Sequence, residues 1–130
     1  MEGKDSHLKV TEIEHPDVLL WLVWTIQQYA KMVSWDEARV KYGKALKDVM
    51  DYLAGNHHPN LKVHENGLVY TNGRDKAVTW MNSTVNGRPV VARTGYVVEF
   101  NALWYNALCF VADLLSSVQW FCRLSASVLR

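Results

Sequence analysis

The segment from Asp17 to Val33, DVLLWLVWTIQQYAKMV, sets the tightest limit on what this chain can fold into. Most of it is apolar or aromatic, and Lys31 is its only charge after Asp17. No period-two alternation runs through it, so it reads as a helix opened by Pro16 and Asp17. Its polar stripe, Gln27, Gln28 and Lys31, is too narrow for a helix resting on one side of an ordinary core. Such a helix needs neighbours on most sides.

A second segment has the same character. From about Val97 to Phe121 the chain reads VEFNALWYNALCFVADLLSSVQWF, with Glu99 and Asp113 its only charges. The stretch from Leu103 to Cys122 is 20 residues, long enough to span a bilayer. Asn106, Asp113, Ser116, Ser117 and Gln119 interrupt it, however. A central Asp alone costs about 2.5–3.5 kcal/mol on insertion scales. The segment therefore reads as a buried helix of a larger α architecture, and a membrane partner is not expected. Two helices of this kind fit a double-layered ring, in which each helix has several neighbours.

Between them lies a one-sided amphipathic helix. Ser34-Trp35-Asp36-Glu37 fits a capping box, with Ser34 as N-cap and Glu37 reaching back. Ala38, Tyr42, Ala45, Leu46, Val49, Met50 and Leu53 follow at helical spacing, and Gly55 is a natural stop. Arg39, Lys41, Lys44, Lys47, Asp48 and Asp51 read as its solvated face. LKVHENGLVY then suggests a small hairpin turning at Asn66-Gly67, and Asn72-Gly73 and Asn86-Gly87 mark further turns. The expected fold is mainly α: about three helices plus a small β-hairpin, in one segment spanning residues 1–130.

Several function classes drop out on composition. The net charge is +1, so no basic footprint for nucleic acid exists. The two cysteines, Cys109 and Cys122, sit in apolar helical surroundings and read as reduced thiols. His57-His58 lacks a second ligand motif, so no metal is expected there, and nothing in the pattern asks for a cofactor. The N-terminal MEGKDSHLKVTEIEHPD has no apolar core and is no secretory signal, which points to a cytoplasmic protein.

The chemistry, if the chain has any, lies in AVTWMNSTVNGRPVVARTGYVVEFNALWYNAL, from Ala77 to Leu108. Trp80, Trp104 and Tyr105 offer flat apolar rings with polar tips, which stack on sugars as well as on other side chains. Arg93 and Glu99 lie close by in sequence. On residue type alone, the simpler reading is that Glu99 is a helix N-terminal acid and the aromatics are core.

The motifs taken together favour the sugar. The block Gly67 to Tyr70, then Thr79-Trp80-Met81, Arg93, Gly95 and Val98 to Ala107 resembles the glucosidase domain of glycogen-debranching enzymes of the bacterial and archaeal type, the amylo-α-1,6-glucosidases. Asp17, Leu20, Trp21, Val23 and Trp24 resemble that family's Asp-x-x-Leu-Trp-Phe-Val-Trp helix, so the likeness runs from about Asp17 to Leu115. The resemblance implies part of an (α/α) six-hairpin toroid and an inverting hydrolysis of α-1,6-linked glucose. The implied partner is a branched α-glucan or oligosaccharide, with Asp17, Trp80, Arg93, Glu99, Trp104 and Tyr105 as substrate-binding residues.

Two departures temper the resemblance. The family's Thr-Trp-Met-Asp acid, taken as the general acid, corresponds to Asn82, whose carboxamide has no acidic proton to give. The family's general base is expected downstream, beyond Arg130, and the tail SSVQWFCRLSASVLR departs from the family pattern. The expectation is a fragment or remnant of such a glucosidase, inactive alone and prone to self-association through its apolar helices. The alternatives are a non-catalytic carbohydrate-binding remnant and a helical interaction or membrane-associated protein.

Overall fold

Three helices account for most of residues 14–115, which the computed structural model describes. They are α1 (Asp17–Met32), α2 (Trp35–Ala54) and α3 (Val98–Leu115), and each packs on the other two. Between α2 and α3 run two short antiparallel pairs. The first joins β1 (Leu61–Val63) to β2 (Val69–Thr71), and the second joins β3 (Thr84–Val85) to β4 (Arg88–Pro89). The expected hairpin is thus present, and the Asn86-Gly87 turn closes a second, smaller one. Both turn residues have positive φ, 51° and 76°, as a tight hairpin turn demands.

The core is drawn from one stripe of each helix. Leu19, Leu20, Val23, Ile26 and Ala30 of α1 meet Leu46, Val49, Met50 and Leu53 of α2, and Phe100, Leu103, Trp104, Ala107, Phe110 and Val111 of α3. Burying one such aliphatic or aromatic side chain is worth about 1.5–3 kcal/mol. The rest of α1 is not covered: Val18, Trp21, Leu22 and Trp24 are exposed, and Trp21 and Trp24 meet edge to face with centroids 5.9 Å apart. The narrow polar stripe therefore leaves a bare apolar face among the described residues.

Local details depart from expectation in three places. Ser34 caps α2, its hydroxyl accepting the Glu37 N–H at 3.0 Å, but Glu37 does not reach back. Its carboxylate instead accepts the Tyr29 hydroxyl at 2.9 Å, tying α1 to α2 and raising the Tyr29 phenol above its ordinary value. Gly55 ends α2 at an ordinary φ of −77°, while Asn56 takes the left-handed turn at 59°. Asn tolerates that conformation, and here the Asn56 carboxamide also accepts the Val63 N–H at 2.7 Å. Arg39 is not merely solvated: its Nε donates to the Leu114 carbonyl at 2.6 Å and so ties α2 to α3.

His57 stacks on Tyr52, and His58 is buried with its Nδ1 accepting the Asn60 N–H at 3.0 Å. Among the described residues no helix is long and apolar enough to cross a membrane. The expected continuation of α3 to Phe121, the second cysteine Cys122 and most of the N-terminal stretch lie outside the described residues.

The cap gives a direct test of this local account. Ser34→Ala should lower unfolding stability by about 1 kcal/mol. Urea denaturation should show a lower midpoint at unchanged slope; an unmoved midpoint would contradict the role given to Ser34.

Candidate functional site

The site starts from a carboxylate in an unusual place. Asp17 is the first residue of α1, and it is only 2% exposed. A helix N-terminus favours a carboxylate by about 0.3–1 kcal/mol, but burying one remains costly unless its oxygens are bonded. One oxygen is satisfied from far along the chain: Asp17 Oδ2 accepts the Trp80 N–H at 2.9 Å, across 63 residues. This bond pins the Ala77–Val91 loop to the start of α1.

The other end of that loop is held by β2. Thr71 exchanges two backbone hydrogen bonds with Gly95, at 3.0 and 2.9 Å, and its hydroxyl donates to the Arg93 carbonyl at 3.0 Å. Gly95 has φ 96°, which an L side chain rarely adopts. Gly73 is needed for a different reason than the turn its Asn72-Gly73 pair suggests. It is buried against the Arg93 backbone, where a Cβ would overlap the carbonyl oxygen. The β2 strand is itself docked on α3 by Asn101, whose carboxamide accepts the Val69 N–H at 2.9 Å and donates to the Val69 carbonyl at 3.1 Å. The sequence places Asn101 in the Val98–Ala107 block that carries the resemblance, but gives it no role.

Arg93 thus arrives at the N-terminal turn of α3. Its guanidinium pairs with Glu99 at 3.3 Å and lies 3.6 Å from the Met81 sulfur. Asp17, Trp80, Met81, Arg93 and Glu99 therefore form one connected series, drawn from α1, the loop and α3. Beside it the loop encloses a recess of about 280 Å³, lined by Trp80, Met81, Asn82, Ser83, Val90 and Val91. Trp80 is 64% exposed beside it.

Four buried side-chain atoms have no hydrogen-bond partner among the described residues: Asp17 Oδ1, Arg93 Nε, Glu99 Oε1 and Trp104 Nε1. Two accept and two donate. A buried polar group without a partner costs about 1–3 kcal/mol, more when charged. Folded chains seldom leave such groups, and here all four belong to residues that the motif comparison singled out.

The remaining candidates fall apart in space. Asn82 is exposed in the loop, its N–H bonded to the Trp80 carbonyl at 2.9 Å. Trp104 lies in the core, about 140° around α3 from Glu99. Tyr105 lies about 240° around and is 71% exposed on the outer face. There a hydrogen bond with the Cys109 thiol raises its phenol above the ordinary value. The structure therefore joins Asp17, Trp80, Arg93 and Glu99 in one series, places Asn82 two residues from Trp80, and sets Tyr105 apart. Among the described residues no three His, Cys, Asp or Glu side chains gather closely enough to hold a metal ion.

A family model described as amylo-alpha-1,6-glucosidase matches residues 10–120, most of the chain. No curated protein and no solved structure gave a match.

The contact that pins the loop can be tested alone. Asp17→Ala should orphan the Trp80 N–H and abolish its protection from hydrogen exchange, whereas Asp17→Asn, which keeps an acceptor oxygen, should retain it. Equal protection of the Trp80 amide in Asp17→Ala and in the parent chain would show that the bond does not hold the loop.

Proposed function

Because the chain belongs to the amylo-alpha-1,6-glucosidase family, we propose that Asp17, Arg93 and Glu99 hold the glucosyl unit of an α-1,6 branch while Trp80 stacks on it. We propose further that this chain alone binds the branch without hydrolysing it. The observation that carries the first part is the exposed Trp80 residue beside the recess, held next to the series that joins Asp17, Arg93 and Glu99. Asp17 Oδ1, Glu99 Oε1 and Arg93 Nε have no partner among the described residues and are closed to solvent, so a sugar hydroxyl, which both donates and accepts, meets them only once the loop over them shifts. The exposed Trp80 ring beside a small recess offers the flat apolar face that the C–H side of a pyranose fits.

Catalysis is a separate matter. Inverting hydrolysis needs one carboxyl group to protonate the leaving oxygen and another to activate water, about 6.5–9.5 Å away. At the acid's place stands Asn82, which keeps the shape and a hydrogen-bond donor but has no acidic proton. Glu99, the acid in the first turn of α3, is ion-paired with Arg93. The exposed Val18, Trp21, Leu22 and Trp24 face of α1 is where further helices of an α/α ring would pack.

Isomaltose titration of the full chain tests binding, and a limit-dextrin assay tests hydrolysis. Glu99→Gln and Arg93→Ala should each weaken isomaltose binding about tenfold or more. The parent chain should release no glucose from the dextrin. In a chimera supplying the rest of a debranching glucosidase domain, Asn82→Asp should raise turnover by about 10²–10⁴-fold. Unchanged affinity in both binding variants would overturn the binding site. Equal turnover by the chimera with and without the Asn82→Asp substitution would overturn the acid assignment.

A further inference from the structure

The small sheet carries a second aromatic group that the glucosyl cluster does not use. Along β1 and β2 the inward residues Leu61, Val69 and Thr71 are buried, and Lys62, Leu68 and Tyr70 point outward and are exposed. The Thr71–Gly95 bridge adds a third edge and brings Tyr96 beside Tyr70. The two tyrosine rings meet edge to face with centroids 5.6 Å apart. His64 stacks on Tyr70 at 5.2 Å with planes 12° apart, and its Nδ1 lies 2.6 Å from the Tyr96 hydroxyl. A shallow recess of about 500 Å³ opens beside them, lined by Val63, His64, Glu65, Asn66 and Tyr96.

We propose that this outer sheet face, built on His64, Tyr70 and Tyr96, is a second carbohydrate site that holds a linear α-glucan chain outside the glucosyl cluster. It rests on the reading of the chain as glucan-binding. Cross-strand aromatic packing stabilises the sheet by a modest amount and leaves these outward rings partly open to solvent. Tyr96 is 48% exposed and Tyr70 38%. Each combines an apolar face with a wet polar tip, which suits a ligand that alternates C–H faces with hydroxyls.

The charges around the face argue against other polymers. Lys62 and Glu65 are single and of opposite sign, and the Lys62 ammonium is already engaged with the Asn56 carbonyl at 2.8 Å. A nucleic acid would ask for a basic stripe. Asn66 has its carboxamide oxygen engaged by the Leu68 N–H at 3.0 Å, which leaves its NH₂ group, and the exposed Glu65 carboxylate, to meet hydroxyls. Continuity supplies the last link. Tyr96 lies between Arg93 and Glu99 in the chain, and the Thr71 bonds that seat Arg93 also seat Tyr96. A glucan held at one place is thereby kept near the other, and two weak contacts on one ligand add through effective concentration.

The test uses the full isotope-labelled chain and two probes: maltoheptaose, which is linear and α-1,4-linked, and isomaltose. Maltoheptaose should perturb the ring resonances of His64, Tyr70 and Tyr96, and should still do so in Arg93→Ala. Replacing both Tyr70 and Tyr96 by Ser should weaken maltoheptaose binding about tenfold and leave isomaltose binding unchanged. If isomaltose binds but maltoheptaose leaves the three rings unmoved, the second site is overturned and the glucosyl cluster stands. Should maltoheptaose move the rings while isomaltose fails to bind, the cluster is overturned and the sheet face stands. The ring resonances of the parent chain are read without any substitution, so a variant that fails to fold does not decide the outcome.

Discussion

The hydrogen bond from the Trp80 N–H to the buried Asp17 carboxylate is the contact on which the candidate site depends. It places the loop against the start of α1, and with it Met81, which in turn touches the Arg93 guanidinium. Arg93 then reaches Glu99 on α3. Each link is individually modest: a hydrogen bond to a charged group contributes about 1.5–3 kcal/mol, and a partly exposed ion pair less. Together they bring side chains from three separate parts of the chain into one series. The tension lies in Asp17 itself, because only one of its two oxygens is bonded in a place that water barely reaches. A half-satisfied buried carboxylate is hard to explain by packing alone.

The aromatic residues divide by the same logic. Trp104 lies in the core, where its ring fills the space between helices and its indole N–H stays unpartnered. Trp80 is held at its backbone and free at its ring. Tyr105 is turned away by the helical rotation of six residues from Glu99, and its hydroxyl is engaged with Cys109. Residue type makes these three look alike; position on α3 or on the loop separates them.

Much of the fold was legible because it rests on local chemistry. The apolar run of α1, the Ser34 cap and the Asn66-Gly67 hairpin each follow from side chains within one or two turns of one another. What stayed hidden depends on residues far apart. Glu37 leaves the expected capping box because Tyr29, on another helix, competes for its carboxylate. Gly73 matters through the Arg93 backbone 20 positions later rather than through its own turn. Asn101 reads as one more polar residue in a helix, although it binds both backbone groups of Val69. Motif resemblance named Asp17, Trp80, Arg93 and Glu99 as candidates without giving the contacts between them. The same resemblance named Tyr105, which the structure places on the exposed side of α3.

The central claim is that the unpartnered atoms of Asp17, Arg93 and Glu99 face a bound glucosyl unit. A crystal structure of the full chain soaked with isomaltose tests it most directly. The account expects the non-reducing glucose beside the Trp80 ring, with hydroxyls within hydrogen-bond distance of Asp17 Oδ1, Arg93 Nε and Glu99 Oε1. Those three atoms still closed off, with the sugar elsewhere or not bound at all, would contradict it.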